Sequence, residues 1–167
     1  TASLSAGVRP QVGGIIQKRL FTEGDMVKAG QALYQIDPSS YRATWNEAAA
    51  ALKQAQALVV SDCQKAQRYA SLVRDNGVSR QDADDAASTC AQDKASVESK
   101  KAALESARIN LNWTTVTAPI AGRIGISSVT PGALVSADQD TALATIRGLD
   151  TMYVDLTRSS VDLLRLR

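Results

Sequence analysis

Residues 41–73, YRATWNEAAAALKQAQALVVSDCQKAQRYASLV, set Tyr41, Trp45, Ala48, Leu52, Ala55, Val59, Asp62, Ala66, Tyr69 and Val73 at alternating steps of four and three. Such steps place all ten residues on one seam of a long helix, as in a coiled coil. The seam is apolar at every step but Asp62. Further on, Cys90, Val97, Leu104 and Leu111 recur every seven residues, with Ala83, Ala86, Ala87 and Ala107 widening the stripe. Asp62, Lys94 and Lys101 are the expected charged interruptions. Between the two patterns, Asp75-Asn76-Gly77 supplies residues that tolerate positive φ, and Ser79 with Asp82 begins a second helix as a capping-box-like pair. Asp37-Pro38 offers the first helix an N-cap and a proline in its first turn. Each helix then runs roughly 35 residues, or about 50 Å. With so little hydrophobicity neither stands alone, and the pair is expected to fold as an antiparallel hairpin in which alanines allow close approach.

Outside the helices the composition changes. Residues 41–112 hold seventeen alanines and a single glycine, Gly77, whereas nine of the ten glycines and all four prolines lie in the flanks. The flanks also repeat one another. Adding 108 to Gly14, Ile16, Phe21, Gly24 and Val27 gives Gly122, Ile124, Val129, Gly132 and Val135, and adding 110 to Ala32, Leu33 and Ile36 gives Ala142, Leu143 and Ile146. Each flank therefore reads as half of one β unit, its glycines at turns and its Ile, Val and Leu residues on buried strand faces. The two halves pair after the helices have gone out and returned, so the fold class is α+β.

The chain contains no histidine and two cysteines. Imidazole zinc sites, thiolate zinc clusters and Ser-His or Cys-His catalysis are excluded on that basis. Nineteen Lys and Arg against seventeen Asp and Glu leave a charge of +2, without the footprint of a nucleic-acid binder. No run of eighteen apolar residues occurs. No paired carboxylates, phosphate loop or nucleophile with a base stands out, so no catalytic, cofactor or metal residue is assigned and the chain is expected not to be an enzyme. Its start at Thr1 and its end within the amphipathic VDLLRLR suggest an excerpt of a longer protein.

Four segments carry a family resemblance: RPQVGGIIQKRLFTEGDMVKAGQALYQIDPSSY at 9–41, SARINLNWTTVTAPIAGRIG at 106–125, VTPGALV at 129–135 and LDTMYVDLTRSSVDLLRLR at 149–167. They are similar to the periplasmic adaptors, or membrane fusion proteins, of tripartite multidrug efflux pumps of the resistance-nodulation-division (RND) type. The resemblance implies a lipoyl-like β-sandwich split by the hairpin. Residues 1–7 become the end of a barrel-proximal strand or a tail, 8–37 and 114–147 the two lipoyl-like halves, 38–113 the hairpin, and 148–167 the start of a β-barrel. Implied partners are an inner-membrane RND transporter, a TolC-like outer-membrane channel and further copies in a ring, a trimer or a hexamer. The implied location is the Gram-negative periplasm at the inner membrane, with a lipid anchor in the full-length protein. An adaptor of an ABC-type exporter or type I secretion system shares the architecture. A biotinyl or lipoyl carrier domain is a rival of another class, although no Met-Lys-Met-like turn is present and the junction that would bear it is occupied by helix.

Arg68, Leu72 and Ser79 match the Arg-x3-Leu-x6-Ser tip motif with which adaptors of this family contact the channel. Each also has an ordinary reading: Arg68 as a solvated helix residue, Leu72 as coil packing and Ser79 as the N-cap of the second helix. Cys63 and Cys90 lie 14 residues before and 13 residues after Gly77, so they face each other in an antiparallel hairpin. They are free thiols in a reducing compartment. In the periplasm that the resemblance implies they form a disulfide, provided that Ala66, Ala86, Ala87 and Ala91 let the helices come closer than usual.

Overall fold

The computed structural model describes residues 4–148. Eight strands and two helices follow in the order β1 (Ser5–Val8), β2 (Gly14–Arg19), β3 (Met26–Val27), β4 (Ala32–Ile36), α1 (Ser39–Arg74), α2 (Arg80–Trp113), β5 (Thr115–Thr117), β6 (Gly122–Ile124), β7 (Leu134–Val135) and β8 (Ala144–Arg147). Residues 38–113 form one unit and the residues on either side of them form the other. The expected α+β architecture is present, a hairpin inserted between the halves of a β unit. The expected barrel start lies outside the described residues from 149 onward. β1 begins at Ser5, three residues before the boundary that the sequence suggests for the first lipoyl-like half, and pairs with β8.

All strand pairs are antiparallel, in two four-stranded sheets ordered β1-β8-β6-β3 and β5-β4-β2-β7. The internal repeat is written into this pairing. Gly14 faces Val135 and Ile15 faces Leu134 between β2 and β7, while Val27 faces Gly122 and Met26 faces Arg123 between β3 and β6. Each pair turns into the other when every residue is exchanged for its repeat equivalent. Turn bonds obey the same exchange: the Gly132 amide donates to the Ile16 carbonyl at 2.7 Å, and the Gly24 amide to the Ile124 carbonyl at 3.0 Å. Both glycines sit in the left-handed region, Gly132 at φ +93° and Gly24 at φ +87°, which a side chain would strain. Equivalent sequences thus form equivalent halves, each completing the other's sheet, and the β unit is pseudo-symmetric.

Its core is shared by both halves. Ile16, Leu33, Tyr34 and Ile36 from the first and Ile124, Leu143 and Ile146 from the second are essentially inaccessible. At about 1.5–3 kcal/mol for each large apolar side chain, this burial dominates the stability of the unit. Tyr34 brings a hydroxyl into the core and satisfies it across the halves, donating to the Leu143 carbonyl at 3.1 Å and sharing a 2.7 Å hydrogen bond with Ser127 Oγ. Burial pushes the Tyr34 hydroxyl above its ordinary value, with the Ser127 bond opposing. Phe21 meets the Tyr34 ring edge-on at 5.2 Å.

In the hairpin the seam of α1 lies where the periodicity puts it. Each of the ten residues from Tyr41 to Val73 is turned from solvent at least in part, and Ala55 is fully buried. On α2 the buried stripe runs through Ala83, Ala86, Cys90, Asp93, Val97, Leu104, Ala107 and Leu111. Here three expectations need correction. Lys94 and Lys101 are exposed and do not enter the seam; its charged member on α2 is Asp93. Ala87 is also exposed. From Cys90 the seam steps by three and then four, so Asp93 turns inward and Lys94 rotates out. The start of α1 differs too. Pro38 itself occupies the N-cap position, one residue after the expected Asp37, and brings no side-chain cap bond of its own.

Candidate functional site at the hairpin tip

α1 ends through a compact reversal. The amides of Asp75 and Gly77 both donate to the Leu72 carbonyl, at 3.1 and 2.8 Å, and that of Asn76 to the Val73 carbonyl at 3.2 Å. Asn76 takes the left-handed turn at φ 52°, and among the described residues Gly77 is not one with positive φ. The value of Gly77 is closeness. A Cβ there would stand 3.3 Å from Leu72 Cδ2, so the loop folds directly against the leucine.

Arg68 and Leu72 are four residues apart on α1, hence on one face, and both are exposed. Leu72 is 41% accessible, high for an apolar residue, and lies outside the seam formed by Tyr69 and Val73. The ordinary reading of Leu72 as seam packing is therefore not met. Ser79 starts α2: its Oγ accepts the Asp82 amide at 3.0 Å and donates to Asp82 Oδ2 at 2.6 Å. This is the expected cap, with one difference from the usual reciprocal arrangement. The acid bonds the serine hydroxyl, which ties up its only proton within the helix start.

Lower on the hairpin, Cys63 and Cys90 face one another with Cα atoms 4.8 Å apart and sulfur atoms at bonding distance. Of the four alanines expected to allow this approach, Ala66 and Ala86 face the seam, whereas Ala87 and Ala91 are exposed. Asp62 and Asp93 are the neighbouring seam level, and Asp93 is the residue that sequence reasoning missed. An i+3 step from Cys90 reaches Asp93 and an i+4 step reaches Lys94, and both continue a helical stripe. Burial, aided by the carboxylate of Asp62, raises the Asp93 carboxyl above its ordinary 3.8. A polar groove beside it is lined by Asp62, Lys65, Tyr69, Asp82 and Asp85. Among the described residues no cluster of three or more His, Cys, Asp or Glu is arranged to hold a metal, and no helix is long and apolar enough to cross a membrane.

The arrangement displays the exposed side chains of Arg68, Leu72 and Ser79 beside a compact reversal. Comparison with known proteins identifies the family. The family model described as RND MFP, barrel-sandwich hybrid domain, matches residues 5–147. Over 162 residues the chain is 51% identical to the multidrug efflux pump subunit AcrA of Escherichia coli (strain K12), covering 97% of this chain and 41% of that protein. To the multidrug resistance protein MexA of Pseudomonas aeruginosa it is 52% identical over 162 residues, covering 97% and 39%. The chain thus spans about two fifths of the length of these relatives. Among solved structures, a MacA–MexA chimera containing the Pseudomonas aeruginosa MexA α-hairpin domain matches with a TM-score of 0.59 at 35% identity, over 89% of this chain and 49% of that one.

Proposed function

This chain belongs to the RND membrane fusion proteins, and on that premise we propose that it is the hairpin-bearing part of a periplasmic adaptor in multidrug efflux. The adaptor links an inner-membrane RND transporter to a TolC-like outer-membrane channel, and drugs pass through the assembly chemically unchanged. The observation that carries the reading is the extent of the likeness: about half of all residues are identical across 97% of the chain, the hairpin as well as both halves of the β unit.

In this reading Arg68, Leu72 and Ser79 meet the channel. One tip offers little contact area, so a single copy binds weakly and several copies in a ring bind through multivalency. A hairpin of about 50 Å does not cross the periplasm by itself, and channel and pump supply the remaining distance. The periplasm is oxidising, and there Cys63 and Cys90 form a disulfide. Their Cα separation of 4.8 Å lies within the range that a disulfide bridges without backbone movement. The adaptor carries no cofactor and catalyses nothing.

Pull-down of the full-length protein from a cross-linked Gram-negative envelope tests the function. The expected result is co-capture of an RND transporter and a TolC-like channel. Capture of an ABC exporter in place of the RND protein overturns the choice of motor. An intact mass raised by biotin or lipoate overturns the adaptor reading altogether.

A further inference from the structure

Asp62 and Asp93 occupy seam positions on opposing helices, next to the level at which Cys63 meets Cys90. Both are partly buried. Asp93 Oδ2 is shut off from water and has no hydrogen-bond partner. What faces Asp93 across the seam is the Asp62 carboxylate, so an acceptor confronts an acceptor. Such a contact is repulsive when both acids are ionised and becomes a hydrogen bond when one proton lies between them.

The surrounding charges do not relieve it. On α1, Ser61 Oγ donates to Asp62 Oδ1 at 3.2 Å, and Lys65 lines the same groove, but its ammonium lies 5.4 Å from the centre of the Tyr69 ring and makes no ion pair among the described residues. From α2 the groove receives Asp82 and Asp85, which add negative charge. Lys94 and Glu98 of α2 lie along a separate groove with Gln56, Val59, Val60 and Val97, and they offset one another.

We propose that Asp62 and Asp93 form a proton-dependent latch in the hairpin: with one proton between them the helices close at this level, and with both ionised the seam loosens there. The disulfide, one residue tipward on α1 and three residues tipward on α2, keeps that loosening from spreading through residues 64–89, the segment that carries Arg68, Leu72 and Ser79. This second part rests on the disulfide proposed above. The latch joins the two halves of the adaptor's rod to ambient acidity, stiffening it when the compartment acidifies.

The direction follows from the proton count. Asp93 binds its proton more tightly in the folded hairpin than in the unfolded chain, so the hairpin is most stable in acid and loses this contribution as pH rises through the raised Asp93 value. Hydrogen exchange of the full-length protein, corrected for the intrinsic pH dependence of exchange, reads it. Protection of residues 59–62 and 93–97 is expected to fall by up to about tenfold per pH unit across the titration, the limit for one proton. Asp93→Asn supplies a permanent donor and should remove that dependence while keeping protection high. A carboxyl carbon resonance of Asp93 should titrate above 3.8. An ordinary titration, or the same pH slope in Asp93→Asn, overturns the latch. For the clamp, Cys63→Ser with Cys90→Ser should extend the pH response to 64–89, and a response still confined to the latch level overturns that part. Intact mass under non-reducing conditions reports the disulfide separately, so its failure is told apart from failure of the latch.

Discussion

The two units of this chain are stabilised in opposite ways. In the β unit, seven large side chains are essentially inaccessible, and each sheet takes two strands from each flank, with one flank's pair in the middle and the other's at the edges. In the hairpin, seventy helical residues bury only Ala55, Ala86, Cys90 and Ala107. One unit is held by apolar volume. The other is held by a narrow seam of small residues, with the proposed Cys63–Cys90 tie in the third of each helix nearest the turn and Asp62 and Asp93 at the neighbouring level. Small residues let two helices approach closely, but they bring little area out of water.

Substitutions can break this comparison or sharpen it. The costliest should lie in the β unit: Ile124→Ala, at a fully buried position, is expected to lower stability by about 2–5 kcal/mol and to show as an earlier denaturant midpoint for the strand signal. An equal cost for Leu58→Ala, at a residue 48% exposed on α1, would erase the contrast between the units. Next comes the tie. Removing the Cys63–Cys90 link, across a sequence separation of 27, should cost at most roughly 3.5 kcal/mol and act on hairpin unfolding alone. Helical circular dichroism against temperature, with and without a reductant, measures it. A matching shift in the β-unit transition would mean that the units do not melt separately.

Smallest for the fold, and largest for activity, are the tip substitutions. Ser79→Ala deletes the cap and should cost about 1 kcal/mol. Leu72→Asp and Arg68→Asp, at exposed positions, should stay within about 0.5 kcal/mol of the wild type. Both aspartate variants should nonetheless restore drug sensitivity to an efflux-competent strain while protein level and transporter binding hold. Full resistance from folded variants would return Arg68 and Leu72 to the status of ordinary surface residues.

The hairpin and the split β unit are both legible in the sequence because their signals are local. Steps of four and three fix a helical stripe, glycine and proline are excluded from helix interiors, and a repeat of Gly14 through Val27 at Gly122 through Val135 can be seen without coordinates. Of the site, the positions of Arg68, Leu72 and Ser79 beside the turn were legible for the same reason. Their environments were not. That the loop folds against Leu72 and that the Ser79 proton is engaged by Asp82 depend on how the chain reverses at Asn76 and Gly77.

By itself, then, the sequence determined which residues are helix, where the helices reverse and that the flanks are equivalent. Only the tertiary structure decided which equivalent strands meet, Gly14 with Val135 and Val27 with Gly122, and which acid of α2 confronts Asp62. The physical reason is angular. Successive residues on a helix are about 100° apart, so a seven-residue repeat leaves the choice between an i+3 and an i+4 neighbour, here Asp93 or Lys94, to whichever one the partner helix covers. That cover is set by how closely two helices approach, a property of the pair that neither sequence segment contains alone.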